Sequence, residues 1–192
     1  MDKAWAEFKT PLSQEALLLF CGDVEQLFRI NPYLEVNKWE VIEKDKYSVD
    51  LTNHSQASEF SLQTYIEVTN VSNGVQLDYN NGIKSSTTII TQPQPEGSKL
   101  VITDHYRPLD NSNSKLLTQV DKSLHKWAEE IQNYLTTWQR WSWFLPWRLY
   151  KKHIWLPMKP SARRITYMLI WISLIEIALI GLGIIIYFIE YR

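Results

Sequence analysis

Few residues in this chain could do proton, metal or nucleophile chemistry, and they are scattered. The four histidines, His54, His105, His125 and His153, form no H-x-x-x-H or HExxH spacing, and the one cysteine, Cys21, has no second thiol near it. None of the ordinary zinc patterns can be written from them, so no metal is expected. Cys21 ends an apolar run, Ala16 to Phe20, and reads as a small core residue rather than a nucleophile. No glycine-rich phosphate loop and no serine-centred nucleophile elbow occurs, and no cofactor is expected. That leaves Asp104 and Tyr106, which share alternation with Leu100 and Ile102. If the alternation turns Asp104 inward, burial would favour its protonated form and general-acid use. The plainer reading, which we prefer, is a strand-end aspartate that is solvated or paired with Arg107. These residues do not by themselves make an enzyme.

The elements that must position them follow from hydrophobic periodicity. Ala4 to Leu12 reads as a first strand carrying Trp5, Ala6 and Phe8. Ser13 starts a short helix over Gln14 to Cys21, which Gly22 breaks. Asp23 caps a second one containing Val24, Leu27, Phe28 and Ile30, and Asn31-Pro32 stops it. The period then changes to that of strands: Leu34 to Glu43 with Trp39 and Val41, Lys46 to Asn53, and Glu59 to Thr69 with Phe60, Leu62, Thr64, Ile66 and Val68 on one face. Val75 to Tyr79, Lys84 to Thr91 and Lys99 to Tyr106 complete the set, with a hairpin signal at Asn81-Gly82 and a loop over Gln92 to Ser98. Short links between strands predict an antiparallel meander with one face buried. After Pro108, apolar residues from Leu117 through Val120, Leu124, Trp127, Ile131 and Leu135 to Trp138 recur at helical spacing and need the sheet as their bed.

The stretch Ser13 to Pro32, SQEALLLFCGDVEQLFRINP, and the stretch Leu124 to Leu135, LHKWAEEIQNYL, resemble the START-like, or SRPBCC, superfamily: the helix-grip fold of polyketide cyclases, coenzyme-Q-binding proteins and the major birch pollen allergen. The resemblance covers residues 1–144 in architecture and implies an α+β fold, a seven-stranded antiparallel sheet wrapped around a long helix with an apolar cavity between them. By that analogy the inward set is Trp39, Val41, Phe60, Leu62, Ile66, Leu77, Tyr79, Leu100, Ile102 and Tyr106, facing Leu117, Val120, Leu124 and Trp127. They either line a pocket for a hydrophobic small molecule (a lipid, a quinone or a polyketide-like aromatic) or fill a solid core.

Ile165 to Ile189 contains ten isoleucines and one charged residue, Glu176, in 25 positions. At about 1.5 Å per residue it exceeds the ~30 Å of a bilayer's hydrocarbon core, so one transmembrane helix is expected. Between Ile131 and Arg164 stand seven Lys or Arg and no acid, which places the N-terminal domain on the cytoplasmic side, with a bacterial inner membrane as the expected location. The start, MDKAWAEFKT, lacks the apolar core of a signal peptide. The expected divisions are a domain over 1–144, a basic aromatic interfacial linker over 145–164, the span over 165–189 and a tail over 190–192. Trp143, Trp147, Arg148, Lys151, Lys152, Trp155, Arg163 and Arg164 are the expected membrane-interface residues, since tryptophan mixed with Lys and Arg suits the headgroup layer. Ser173, Glu176 and Gly183 share one seam of the span and suggest a helix contact, as a homodimer or with a membrane-protein partner.

Residues 1–130 carry 12 Lys or Arg against 19 Asp or Glu, an acidic domain that excludes nucleic acid as partner. The leading expectation is a membrane-anchored protein that binds or shuttles a hydrophobic molecule at the cytoplasmic surface. A cyclase- or aromatase-type enzyme and a scaffold for a membrane complex are the alternatives.

Overall fold

The computed structural model describes residues 3–55, 60–107 and 114–191, and leaves the side chains of residue 60 and residues 114–122 undescribed. Contacts divide the chain into two units, Met1–Pro157 and Met158–Arg192. The first holds seven antiparallel strands: β1 (Lys3–Thr10), β2 (Leu34–Glu43), β3 (Lys46–Asn53), β4 (Phe60–Val71), β5 (Gly74–Tyr79), β6 (Lys84–Gln94) and β7 (Gly97–Tyr106). Their order in the sheet is β1-β7-β6-β5-β4-β3-β2, a meander closed at one side by the first strand.

Two-residue turns join β2 to β3 and β4 to β5, with Asp45 (φ 62°) and Asn73 (φ 64°) in the left-handed region that these short polar residues tolerate. The loop expected over Gln92 to Ser98 is tighter than the sequence suggested. β6 runs on to Gln94 and β7 begins at Gly97, so only Pro95 and Glu96 lie between them. Gly97 makes this turn possible: its φ is +113°, and a Cβ there would stand 2.2 Å from the Thr10 carbonyl oxygen.

Helices α1 (Gln14–Cys21) and α2 (Val24–Ile30) follow β1. Ser13 Oγ accepts from the Ala16 amide at 3.3 Å and Asp23 Oδ1 from the Gln26 amide at 3.0 Å, so each start satisfies one donor that would otherwise lack a partner. The long helix α3 (Ser114–Trp141) lies across the inner face of the sheet, burying Leu124, Trp127, Ala128, Ile131 and Leu135. Trp127 Nε1 donates to the Leu27 carbonyl at 2.9 Å and Gln132 Nε2 to that of Lys9 at 3.1 Å, which tie α3 to α2 and β1. The fold is the expected helix-grip arrangement.

Two residues depart from the expected alternation. Trp5 is 59% exposed, because β1 turns Ala4, Ala6, Phe8 and Thr10 inward instead. Val41 shares its face with Trp39 but is 69% exposed: β2 is the edge of the sheet, flanked by β3 alone, and its far end runs beyond the buried layer.

After α3 come α4 (Leu145–Tyr150) and a π-helical turn (Lys151–Trp155), closed by the Leu156 amide donating to the Lys151 carbonyl at 3.0 Å. These residues belong to the first unit, where Trp155 and Leu156 pack against the core, so the chain from 145 to 157 folds onto the domain. The second unit is the helix α5 (Pro160–Glu190), 31 residues or about 46 Å long, and none of its most apolar window is buried. It is long and apolar enough to cross a membrane.

Candidate ligand cavity

A cavity of about 120 Å³ lies between the inner face of the sheet and the helices. Its apolar wall comes from Phe28 of α2, Leu34, Leu51 and Leu62 of β2 to β4, and Trp127 of α3; Tyr79 and Lys84 supply a polar side. Ser123, Asn81 and Ile83 line it where side chains are half-buried or exposed, which sets its mouth beside the β5–β6 turn. That turn is pinned from two directions. Thr64 Oγ1 and the Asn81 amide lie 3.2 Å apart, and Arg107 Nη2 donates to the carbonyls of Tyr79 and Asn80 at 2.8 and 2.5 Å. Gly82 sits in the turn at φ +107°, with the Leu62 Cδ2 atom 3.0 Å from where a Cβ would stand.

The polar side is one connected chain of hydrogen bonds. Tyr79 donates its hydroxyl to Thr87 Oγ1 at 3.0 Å, and Thr87 donates onward to Asp104 Oδ1 at 2.5 Å. Lys84 Nζ forms an ion pair with Asp104 Oδ2, toward which the Tyr106 hydroxyl also points at 3.5 Å. Asp104 is fully buried and Lys84 is 31% exposed, so the carboxylate has exchanged water for these partners. Burial, reinforced by the neighbouring Asp104 charge, raises the Tyr79 phenol well above its ordinary range, and it stays protonated. The Lys84 ammonium also stands 5.9 Å from the Trp127 ring centroid.

Asp104 thus points inward and pairs with Lys84. The expectation of a solvated strand-end residue or an Arg107 partner is corrected, since Arg107 is engaged with backbone carbonyls at the turn. Lys84 escaped sequence reading for a geometric reason. Thr87, Ile89 and Thr91 are inward, so strict alternation would turn Lys84 outward. A β-bulge absorbs Ser85: the register runs from Thr87↔Asp104 and Ser86↔His105 directly to Lys84↔Tyr106, and Lys84 arrives on the inner face opposite Tyr106. Ser85 itself donates its hydroxyl to the His105 carbonyl at 3.0 Å.

Of the expected cavity residues, Leu62, Tyr79 and Trp127 line it. Ile66, Leu77, Leu100, Ile102, Tyr106 and Leu124 are packed into the closed core, where branched aliphatic side chains fill the layer between sheet and helix. Trp39 packs at a tilt against Phe28 and Tyr47 with ring centroids 5.6 and 5.2 Å away, backing the wall without forming it. Phe60, Leu117 and Val120 fall outside the described side chains. Burial pushes the Cys21 thiol up to about 12, which leaves it an inert core residue. Among the described residues no three His, Cys, Asp or Glu are grouped to hold a metal ion.

The expected interface residues divide into two groups. Lys151 Nζ lies 3.7 Å over the Trp155 ring and 5.8 Å from both Tyr134 and Trp147, forming a cap on the C-terminal end of α3. Trp143 (77% exposed), Arg148 and Lys152 face outward instead. In the second unit Arg163 is half-buried and Arg164 exposed, and Ser173, Glu176 and Gly183 are exposed along α5.

Sheet order, helix placement and the cavity beneath the long helix define a START-like helix-grip fold. Comparison with known proteins agrees. No family model matches the chain, and no curated protein matches its sequence. Solved structures do: a START superfamily protein from Mycobacterium smegmatis (TM-score 0.56, 11% identity, 70% of this chain and 97% of that one) is similar. So are a conserved protein from Geobacillus kaustophilus (0.55, 21%, 71% and 95%) and a protein from Thermus thermophilus (0.55, 16%, 71% and 98%). Such distant likenesses establish the fold and leave activity open.

Proposed function

We propose that this protein binds a hydrophobic small molecule in the cavity beneath α3 and is held at a membrane by α5, with its folded domain on the cytoplasmic side. The cavity is the observation that carries this reading. Small-molecule pockets usually run to about 300–1,000 Å³, and a dry cavity of about 150 Å³ accepts benzene. At about 120 Å³ this one is sized for a single ring, with any tail left outside its mouth. The bare sides of α5 support the anchor, because so long an apolar surface is unstable in water. The excess of Lys and Arg over residues 131–164 supports the orientation. Outward Trp143, Arg148 and Lys152 suit contact with headgroups.

The hydrogen-bonded chain from Tyr79 to Lys84 is what an enzyme would need. The Tyr79 and Thr87 protons are committed within it, however, the Asp104 carboxylate is tied to Thr87 and Lys84, and a protonated Tyr79 is no base, so binding is the reading we prefer. Native mass spectrometry of detergent-extracted full-length protein, followed by organic extraction, tests it. A co-purifying ring-bearing molecule that Leu62→Trp displaces supports binding. A wild-type protein empty after extraction from its native membrane argues against it.

A further inference from the structure

We infer that the cavity takes a neutral, single-ring compound bearing a carbonyl or similar acceptor oxygen, held through that oxygen by the Lys84 ammonium. The inference rests on the binding reading above and names the ligand class. Three observations carry it.

Volume limits the guest. At about 120 Å³, below the ~150 Å³ that takes benzene, the cavity encloses at most one ring with its substituent at the mouth, and Phe28, Leu51, Leu62 and Trp127 give that ring an apolar bed. The available donor sets the substituent. A lysine ammonium has three N–H groups, and Asp104 takes one of them. The Tyr79 proton is committed to Thr87 and the Thr87 proton to Asp104, so Lys84 is the member of this chain with N–H groups left for an entering oxygen. It is also the one charged donor among the described residues of the wall, whose other polar side chains (Asn31, Tyr33, Asn53, Thr64, Asn81 and Ser123) offer only neutral donors.

Charge then excludes ions. Lys84 and Asp104 already form a neutral pair with the carboxylate fully buried. An entering carboxylate would place a second negative charge against the same ammonium, with no second cation among the described residues of the wall. A ligand cation would meet the ammonium itself. A neutral acceptor adds a charge-assisted hydrogen bond without disturbing the balance.

The test uses three probes of nearly equal shape: acetophenone, ethylbenzene and benzoate, titrated by ligand-observed NMR against the full chain in lipid nanodiscs. The charge-neutral variant Lys84→Met/Asp104→Asn is the comparison, checked for folding by thermal melting, and ratios between variant and wild type cancel partition into lipid. Wild type should bind acetophenone about tenfold or more tighter than ethylbenzene, the discrimination expected of a hydrogen bond to a charged group, and tighter than benzoate. The double variant should bring the acetophenone-to-ethylbenzene ratio to about one while still binding ethylbenzene. Equal binding of acetophenone and ethylbenzene by wild type, or preference for benzoate, would overturn the inference and leave the binding reading intact. If no probe binds, or if Leu62→Trp leaves binding unchanged, the cavity is not the site and both fall.

Discussion

Replacing Lys84 by methionine should be far more damaging than neutralising its partner. Methionine keeps most of the lysine stem, so the change removes the charge and little volume. It leaves Asp104, fully buried, with the hydroxyls of Thr87 and Tyr106 but no counter-charge. Breaking a buried pair this way typically costs about 3–5 kcal/mol; because Lys84 is 31% exposed and partly screened, we take the low end, about 3 kcal/mol. Asp104→Asn is the converse. The amide still accepts from Thr87, and the released ammonium can turn toward water, so the cost should be about 1 kcal/mol. Lys84→Met/Asp104→Asn removes both charges and should also sit near 1 kcal/mol, giving a coupling of about 3 kcal/mol in the double-mutant cycle. Urea unfolding of the full chain in nanodiscs, followed by circular dichroism, reads all four corners. If Lys84→Met cost less than Asp104→Asn, the pair would not be the buried, asymmetric contact described above, and the reasoning would fail.

Three smaller outcomes follow from other contacts. Gly82→Ala should lose about 1–2 kcal/mol, since alanine is strained at φ +107° and its Cβ would press on Leu62, and Asn80→Ala at the same turn should lose less in the same urea experiment. Lys151→Met should loosen the cap on α3 by about 1 kcal/mol, visible as a lower melting temperature, because it removes the cation from over Trp155, Trp147 and Tyr134. Cys21 should resist iodoacetamide in the folded protein and react only through opened or unfolded molecules, faster as urea populates them. Its folded value of about 12 exceeds the unfolded 9.0, so its effect on stability should be nil below pH 9 and grow unfavourable as the pH rises from 9 toward 12, measured against Cys21→Ala.

The fold was largely legible because most strands keep one face apolar over enough residues to fix their register; β6, with Thr87 and Thr91 inward beside Ile89, is the exception. Phe8, Leu51, Ile66, Leu77 and Ile102 all lie where period-two counting puts them. The helix boundaries could be read from Ser13 and Asp23, whose side chains do cap them. The site was harder. Its location depends on two things that period-two counting cannot carry: where the packing stops being solid, and where the count slips. Leu62 and Leu77 look alike in the sequence, yet one walls the cavity and the other is sealed in the core. Lys84 reads as an exposed residue until Ser85 is dropped from the count. A second bulge, between Val36 and Lys38, likewise lets Val36 and Trp39 face the same side of β2 despite an odd spacing.

The sheet order also sets a timetable. Strands β2 to β7 pair with their neighbours in sequence, so each hairpin can form as soon as it is made. The exception is β1, whose partner is β7: Lys3 lies opposite His105 and Thr10 opposite Ser98. At roughly 5–20 residues per second of synthesis, the first strand must wait on the order of 5–20 s for its partner to leave the ribosome. Throughout that wait β7's place beside it is empty, and Ala4, Ala6 and Phe8 have no sheet to pack against. The growing chain is therefore most open to wrong pairings at β1, and a chaperone that shields this strand would protect it more than one acting later.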